Sequence, residues 1–298
     1  MIESVSSPVV GVIGGSGVYD MDGLEKAEWK AVDSPFGPPS DEFLCGELEG
    51  QPVVFLPRHG RGHVLSPSDV NYRANIDALK RLGVTEILSL SAVGSLKEEL
   101  PPGHFVLVDQ FIDRTINRTK TFFGDGLVAH VSLAHPVCSR LDHHLVAAAE
   151  EAGIPFRKGG TYLAMEGPQF STLAESNLYR SWGCEVIGMT NMPEAKLARE
   201  AELCYASVAM VTDYDCWHPD HDHVTVEQVV KVLMENAEKA RTLIRAVLPR
   251  LSGRDASCEQ GCDRALDNAL ITRPEQRNPE TCARLDAVAG RALAAEAN

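Results

Sequence analysis

The feature of this chain that most constrains its fold is an alternation of two patterns. Short runs rich in β-branched residues, at 9–13, 53–57, 86–91, 105–109, 162–165, 185–189 and 205–212, take turns with stretches whose apolar residues recur every three or four positions. The first pattern suits strands and the second lines one face of a helix. The chain is therefore expected to be an α/β protein, a central mixed β-sheet flanked by helices. Helices 69–82, 140–152 and 172–182 each stop at a glycine: Gly83, Gly153 and Gly183. The clearest helix is 225–248, where Thr225 and Gln228 form a capping-box pair and Val229, Leu233, Ala240, Leu243 and Val247 share one stripe. After Pro249 the character changes to SGRDASCEQGCDR and then to an Ala-rich end. Residues 1–251 read as one domain and 252–298 as a C-terminal appendage whose role the residues do not show.

Several function classes are excluded early. A formal net charge of −14 argues against a nucleic-acid partner, because affinity for a phosphate backbone rests on clustered Lys and Arg. The start, MIESVSSP, lacks the basic and apolar regions of a signal peptide, and nowhere do 18 apolar residues run together. No membrane association and a cytoplasmic location are expected. The cysteines are scattered with no C-x-x-C pair, so no metal and no redox motif is expected. Cys258 and Cys262 are the exception, being close enough to face each other on a helix or to bond in a loop.

In open α/β sheets a ligand crevice lies beyond the carboxyl ends of the strands, so polar residues there are the candidates. The first strand runs into Gly11-Val12-Ile13-Gly14-Gly15-Ser16-Gly17. Glycines allow successive N–H groups to converge on an anion, and Ser16 adds a hydroxyl. The loop is no dinucleotide fingerprint, since Asp20 stands where the third glycine belongs, and it lacks the Gly-Lys-Ser/Thr of a Walker loop. A second strand delivers Arg58-His59-Gly60-Arg61-Gly62-His63, an arginine fork with a neighbouring imidazole suited to an oxyanion. A third ends in Ser89-Leu90-Ser91-Ala92-Val93-Gly94-Ser95, and a fourth in Gly188-Met189-Thr190 at a helix start. A fifth closes on Asp213 and Asp215, which read either as a recognition pair or as solvated loop charges. The run His218–His223 contains metal-ligand types, but it includes a proline and lacks H-E-x-x-H, so a polar loop is expected.

Taken in order with 34–41 (SPFGPPSD), 70–75 (VNYRAN), 109–115 (DQFIDRT), 166–171 (EGPQFS) and 212–217 (TDYDCW), these segments resemble the trimeric purine nucleoside phosphorylase family, in its methylthioadenosine-cleaving branch. The likeness covers about 9–251. It implies the phosphorylase fold, a homotrimer or a hexamer built from two trimers, and no cofactor, inorganic phosphate being a co-substrate. It assigns phosphate binding to Ser16, Arg58, His59, Ser91, Ala92 and Thr190. It places Met189 against the ribose and Phe170 beside sugar and base, with His63 in the same region. By family position Val226, Val229 and Val230 form an apolar wall for the 5′ substituent, and His130 is expected to reach a neighbouring subunit's site.

The implied reaction is phosphorolysis of 5′-methylthioadenosine to adenine and 5-methylthioribose 1-phosphate, a pentosyl transfer. Positive charge then develops on the ribose and negative charge on the departing purine, so the enzyme must place an anion on one side and neutralise the base on the other. Asp213 is expected to protonate purine N7, with Asp215 supporting it or holding the loop. An exocyclic amino group wants an acceptor, which Asp213 provides. The 6-oxopurine branch carries Asn there and Glu at the position of Ser171. A broader or 6-oxopurine nucleoside phosphorylase is the alternative.

Overall fold

The computed structural model describes residues 8–15, 17–219, 226–253 and 257–295, with the side chains of 226–230 outside the description. Its centre is an eleven-stranded mixed sheet. Strands β1 (Val9–Gly14), β2 (Glu25–Lys30), β3 (Phe43–Leu48) and β4 (Gln51–Pro57) form one flank, with β4 parallel to β1 and β2–β3–β4 antiparallel. After α1 (Tyr72–Arg81) comes the long β5 (Val84–Ser95), which runs parallel to β1. Strands β6 (Phe105–Val108) and β7 (Gln110–Asp113), helix α2 (Ser139–Glu151), β8 (Phe156–Lys158), β9 (Thr161–Ala164), α3 (Leu173–Ser181), β10 (Val186–Gly188), α4 (Asn191–Glu200), β11 (Cys204–Asp213) and α5 (Val226–Leu251) follow. Each expected strand is present, and the mixed sheet carries helices on both faces.

β5 is twelve residues long and serves as neighbour to three strands. On one edge it pairs first with β1, as far as Ile13 opposite Ser89, and later with β10, where Ile187 lies opposite Gly94. Along that edge Leu90–Val93 have no ladder partner, so the sheet opens there. On its other edge β5 is parallel to β11 throughout. The opening coincides with the carboxyl ends of β1 and β4, where a crevice in an α/β sheet belongs.

Two apolar cores lie on the two faces. One gathers Ile76, Leu79, Phe122, Leu197 and Tyr205 beneath α1 and α4. The other gathers Val12, Phe55, Leu88, Leu141, Leu243 and Val247 beneath α2 and α5. Burying side chains of this size stabilises by about 1.5–3 kcal/mol each.

The local differences from expectation have physical causes. Strand β2 is EKAEWK, charged and mostly exposed, so it carries no apolar alternation; its place at the sheet edge explains this. Helix α1 starts at Tyr72 because the Asn71 side chain accepts from the Ala74 N–H at 3.2 Å. In α3 the Thr172–Glu175 pair forms a full capping box. Helix α5 continues through Pro249 to Leu251, and the Thr225 cap lies outside the described residues.

The segment read as an appendage packs against the body. Leu266, Leu285, Val288 and Ala289, the last three on or beside α6 (Pro279–Arg284) and α7 (Asp286–Ala295), join the α1 core, while Cys258 and Cys262 join the α2–α5 core. Asp286 ion-pairs with Arg81 at 2.5 Å, and the Ile271 N–H donates to Val128 O at 2.8 Å.

Candidate active site

The opening beside β5 leads into a cavity of about 290 Å³. Arg58, His59, His63, Ser91, Ala92, Phe170, Met189, Thr190, Asp213 and Asp215 all line it. Residues far apart in the chain thus line one cavity. Ser16 and the side chains of Val226, Val229 and Val230 lie outside the described residues. Farther along the same helix, Leu233 and Ala237 do reach the cavity wall.

Arg58 departs from the expectation of a free fork. It is 1% exposed, and its Nε and Nη2 donate to Glu194 at 2.8 and 3.2 Å, Nη2 to Ser89 Oγ at 2.7 Å, and Nη1 to Leu90 O at 3.0 Å. A guanidinium has five N–H donors, so one remains for a ligand. Burial opposes its charge, but the Glu194 carboxylate outweighs burial and holds it protonated. Glu194 also accepts from Ser89 Oγ at 2.5 Å and Tyr205 OH at 2.9 Å. Asn191 Nδ2 donates to Ser89 and Tyr205, and Ser91 Oγ donates to Asn191 Oδ1 at 3.0 Å. This closed network fixes the Arg58 side chain and the floor of the cavity. Nothing in the sequence pattern around Glu194 and Asn191 signals this role.

His59 is similarly constrained. Its Nδ1 lies 2.9 Å from Leu65 O, a pure acceptor, so Nδ1 carries the proton of the neutral ring. Burial, then the charge of Arg58, push its pKa down to about 4. The remaining nitrogen Nε2 is consequently an acceptor near neutral pH, where a donor had been expected. His63 stacks on His59 with centroids 4.3 Å apart.

Thr190 precedes α4, a helix kinked at Met192, and makes no capping bond. Its Oγ1 is buried and has no partner among the described residues. A buried hydroxyl without a partner is costly unless a ligand supplies one. Ala92 is exposed between buried Ser91 and Val93, and it lines the cavity. Met189 is held by backbone: a Cβ on Gly167 would stand 2.5 Å from its Sδ, and Arg118 Nη1 donates to its carbonyl at 2.5 Å. Arg118 also reaches Met192 O and Glu166 O, so it props the loops under the cavity. Its sequence context, Asn-Arg-Thr, carries no signal of that role.

The carboxyl pair sits at the end of β11. Between Val211 opposite Val93 and Asp213 opposite Gly94 the ladder gains one residue, Thr212, a bulge that re-aims the strand end. Asp213 is half-buried; its Oδ1 accepts from the Asp215 N–H at 2.8 Å and its Oδ2 from Thr212 Oγ1 at 2.7 Å. Burial raises its pKa against those two hydrogen bonds. Asp215, in the left-handed region at φ 53°, is pushed up to about 6, by burial first, with the nearby Ser176 hydroxyl opposing and the Asp213 charge adding. Its Oδ2 is buried without a partner among the described residues.

Two expected residues, Ser171 and His130, lie outside this lining. Ser171 is 9% exposed with its hydroxyl 3.7 Å from Met165 Sδ; Met165 lines the cavity and Ser171 does not. His130 is exposed on a loop bonded to Ala269 O, away from the cavity of its own chain. His218, first of the histidine run, stacks on Tyr214 and meets Glu98 at 3.1 Å; residues 220–223 lie outside the described residues.

Comparison with known proteins agrees with this geometry. The model of the phosphorylase superfamily matches residues 9–249. The S-methyl-5′-thioadenosine phosphorylase of Rhodospirillum rubrum is 67% identical over 98% of this chain and all of its own length. A methylthioadenosine phosphorylase from an antarctic soil metagenomic library superposes with a TM-score of 0.90 at 47% identity, covering 95% of this chain and 99% of its own. A variant of the adenosine/methylthioadenosine phosphorylase of Schistosoma mansoni, solved in complex with methylthioadenosine, is 39% identical with a TM-score of 0.78 over 82% of this chain and 91% of its own. A family match over residues 9–249, identity at this level and a shared fold place the chain: it belongs to the phosphorylase superfamily, on its methylthioadenosine phosphorylase branch.

Proposed function

We propose that the protein cleaves 5′-methylthioadenosine with inorganic phosphate, releasing adenine and 5-methylthioribose 1-phosphate. The observation that carries this is the spacing along β5. Ser91 and Ala92 lie at the anion end, while Asp213 rests against Gly94, where a Cβ would stand 3.0 Å from its Oδ1. Three strand residues span roughly 10 Å, room for a ribose and the near edge of a purine. Phosphate would sit between Ser91, Ala92, Thr190 and the last Arg58 N–H. His59, neutral, would accept from the P–OH of the bound anion.

The phosphate oxygen forms its bond to the anomeric carbon as the bond from that carbon to N9 breaks, and the electron pair goes to the purine. Asp213 then supplies a proton to N7, and its raised pKa favours the protonated form this requires. Asp215 is the reserve that re-protonates Asp213 or sets its charge. Met189 and Phe170, the latter 73% exposed at the mouth, cover sugar and base. Leu233 and Ala237 support an apolar 5′ wall. The chemistry requires phosphate as co-substrate and no cofactor.

We further infer a homotrimer, or two stacked trimers, in which His130 contributes to a neighbouring cavity. Exposed Ile116, Leu173, Leu178 and Trp182 support such burial. Among the described residues no helix is long and apolar enough to cross a membrane, and a cytoplasmic location is proposed with it. The test is phosphate-dependent release of adenine from methylthioadenosine, with adenosine as competitor. Release that does not require phosphate, or stronger turnover of inosine, overturns the reading; light scattering of the purified protein tests the oligomer.

A further inference from the structure

Four of the cysteines, scattered in the sequence, converge in the fold. Cys138 precedes α2, its N–H donating to Tyr205 O at 2.8 Å, and Cys204 opens β11. Cys258 and Cys262 arrive from the chain after α5. There the Gly261 N–H donates to Cys258 O at 2.7 Å, the Cys258 N–H donates to Asp263 Oδ2 at 3.0 Å, and Gly261 at φ 70° folds the segment so that both thiols face inward. All four sulfurs lie within 4.8 Å of one another, and Cys138 Sγ is 3.7 Å from Cys258 Sγ. The four residues are at most 5% exposed.

Four thiols this close to one another are what a tetrahedral metal cage requires. Zinc–sulfur bonds of about 2.3 Å require sulfur–sulfur edges of about 3.8 Å; the Cys138–Cys258 pair, at 3.7 Å, already has that edge, and no pair exceeds it by more than about 1 Å. Disulfides would instead draw the sulfurs into two bonded pairs about 2 Å apart. No water can reach a fifth position in so buried a cluster, which suits a closed structural site. A tetrahedral all-sulfur set selects zinc, or a single iron, over harder ions. Cationic Arg140 and Lys80 act on Cys204 and would offset the negative charge of a tetrathiolate, while Glu86 takes part of Arg140.

We propose that Cys138, Cys204, Cys258 and Cys262 bind one zinc ion that fastens the C-terminal segment to α2 and to the start of β11. Binding exchanges four thiol protons for one zinc ion: four S–H bonds break, four Zn–S bonds form, four protons leave, and nothing is oxidised. The ion sits at Cys204, nine residues and roughly 30 Å along β11 from Asp213, so it takes no part in the chemistry. Its role is to close the fold around a segment that α5 would otherwise release.

The test uses the full chain, purified under reducing conditions, incubated with zinc chloride and desalted. Elemental analysis should return about one zinc per chain and no iron. Four thiols should resist a disulfide reagent until a mercurial releases the metal, zinc appearing in step with them. Cobalt should substitute with the visible bands of tetrahedral thiolate coordination. Cys258→Ser should lose the zinc and melt several degrees lower, whereas Cys282→Ser, outside the cluster, should keep both. Fewer than about 0.1 zinc per chain in the unaltered protein, or a non-reduced mass lower by about 2 Da for each cysteine pair, overturns the proposal. Iron in place of zinc overturns the choice of metal. Each of these readouts is independent of turnover, so the zinc site and the proposed activity fail or stand separately.

Discussion

Replacing Asp213 with Asn separates proton donation from everything else this residue does. The Oδ1 position faces the Asp215 N–H, which cannot turn, so the Asn carbonyl oxygen must occupy it. The amide nitrogen then faces Thr212 Oγ1, a hydroxyl that already has a second acceptor, Val93 O at 3.2 Å. Thr212 can turn to donate there and accept from the amide, so both bonds survive and the fold is retained. What is lost is a transferable proton. Positioned acid catalysis contributes about 10² to 10⁴ in rate, or about 2.7–5.5 kcal/mol at about 1.36 kcal/mol per decade. The amide can still donate a hydrogen bond to N7, so a loss of about 10² to 10³ in kcat/KM for methylthioadenosine is expected. The assay is initial-rate adenine release at saturating phosphate, with thermal melting alongside. Methylthioinosine should lose less, because the amide can donate to a 6-oxo group, so the ratio of the two substrates should move toward the oxopurine. A kcat/KM within about threefold of the parent (~0.7 kcal/mol) with an unchanged ratio would refute Asp213 as the acid.

Three further outcomes follow from the site. Thr190→Val removes a hydroxyl expected to meet only the anion; KM for phosphate should rise about 10- to 100-fold, as for a hydrogen bond to a charged group, while melting and nucleoside KM hold, and an unchanged phosphate KM removes Thr190 from the site. Glu194→Gln leaves Arg58 buried and charged without its counter-ion, so denaturant unfolding should show a loss of about 3–5 kcal/mol; a loss under about 1 kcal/mol, in the range of an exposed pair, would show that Ser89 and Leu90 O suffice. Asp215, raised from 3.8 to about 6 in the folded protein, contributes stability that is full below 3.8 and lost as pH rises through about 6. Asp215→Asn lacks that loss, so its stability relative to the parent should grow by about 2.4 kcal/mol between pH 4 and pH 8, measured by urea unfolding; a flat difference contradicts the burial argument.

Much of this architecture can be read in one dimension, and the limits are instructive. Buried strands such as β1 and β11 announce themselves because both faces are apolar, and α3 announces its start through Thr172 and Glu175. β2 does not, since an exposed edge strand has no reason to alternate. The residue types of the site were legible because strand ends collect polar residues, yet their pairings were not. Arg58 and Glu194 are 136 positions apart, and only the fold shows that the fork is already occupied. Ser171 was placed by family position alone, and its side chain turns toward Met165, behind the wall. The cysteines make the same point more strongly. Spacing within the chain suggests a motif only when ligands are neighbours, and here 120 residues separate two sulfurs in contact.

The extra residue at Thr212 also decides on which side of the sheet the acid pair lies. Because side chains alternate along a strand, the direction of the acid pair is a matter of parity, decided by whether the count of residues after Val211 is odd or even. Deleting Thr212 would leave every catalytic side chain present, restore an unbroken ladder, and point the carboxyl at the wrong side of the sheet. The site therefore tolerates changes of residue at this corner better than changes of length, and a chain one residue shorter there would be a well-folded protein with its acid out of reach.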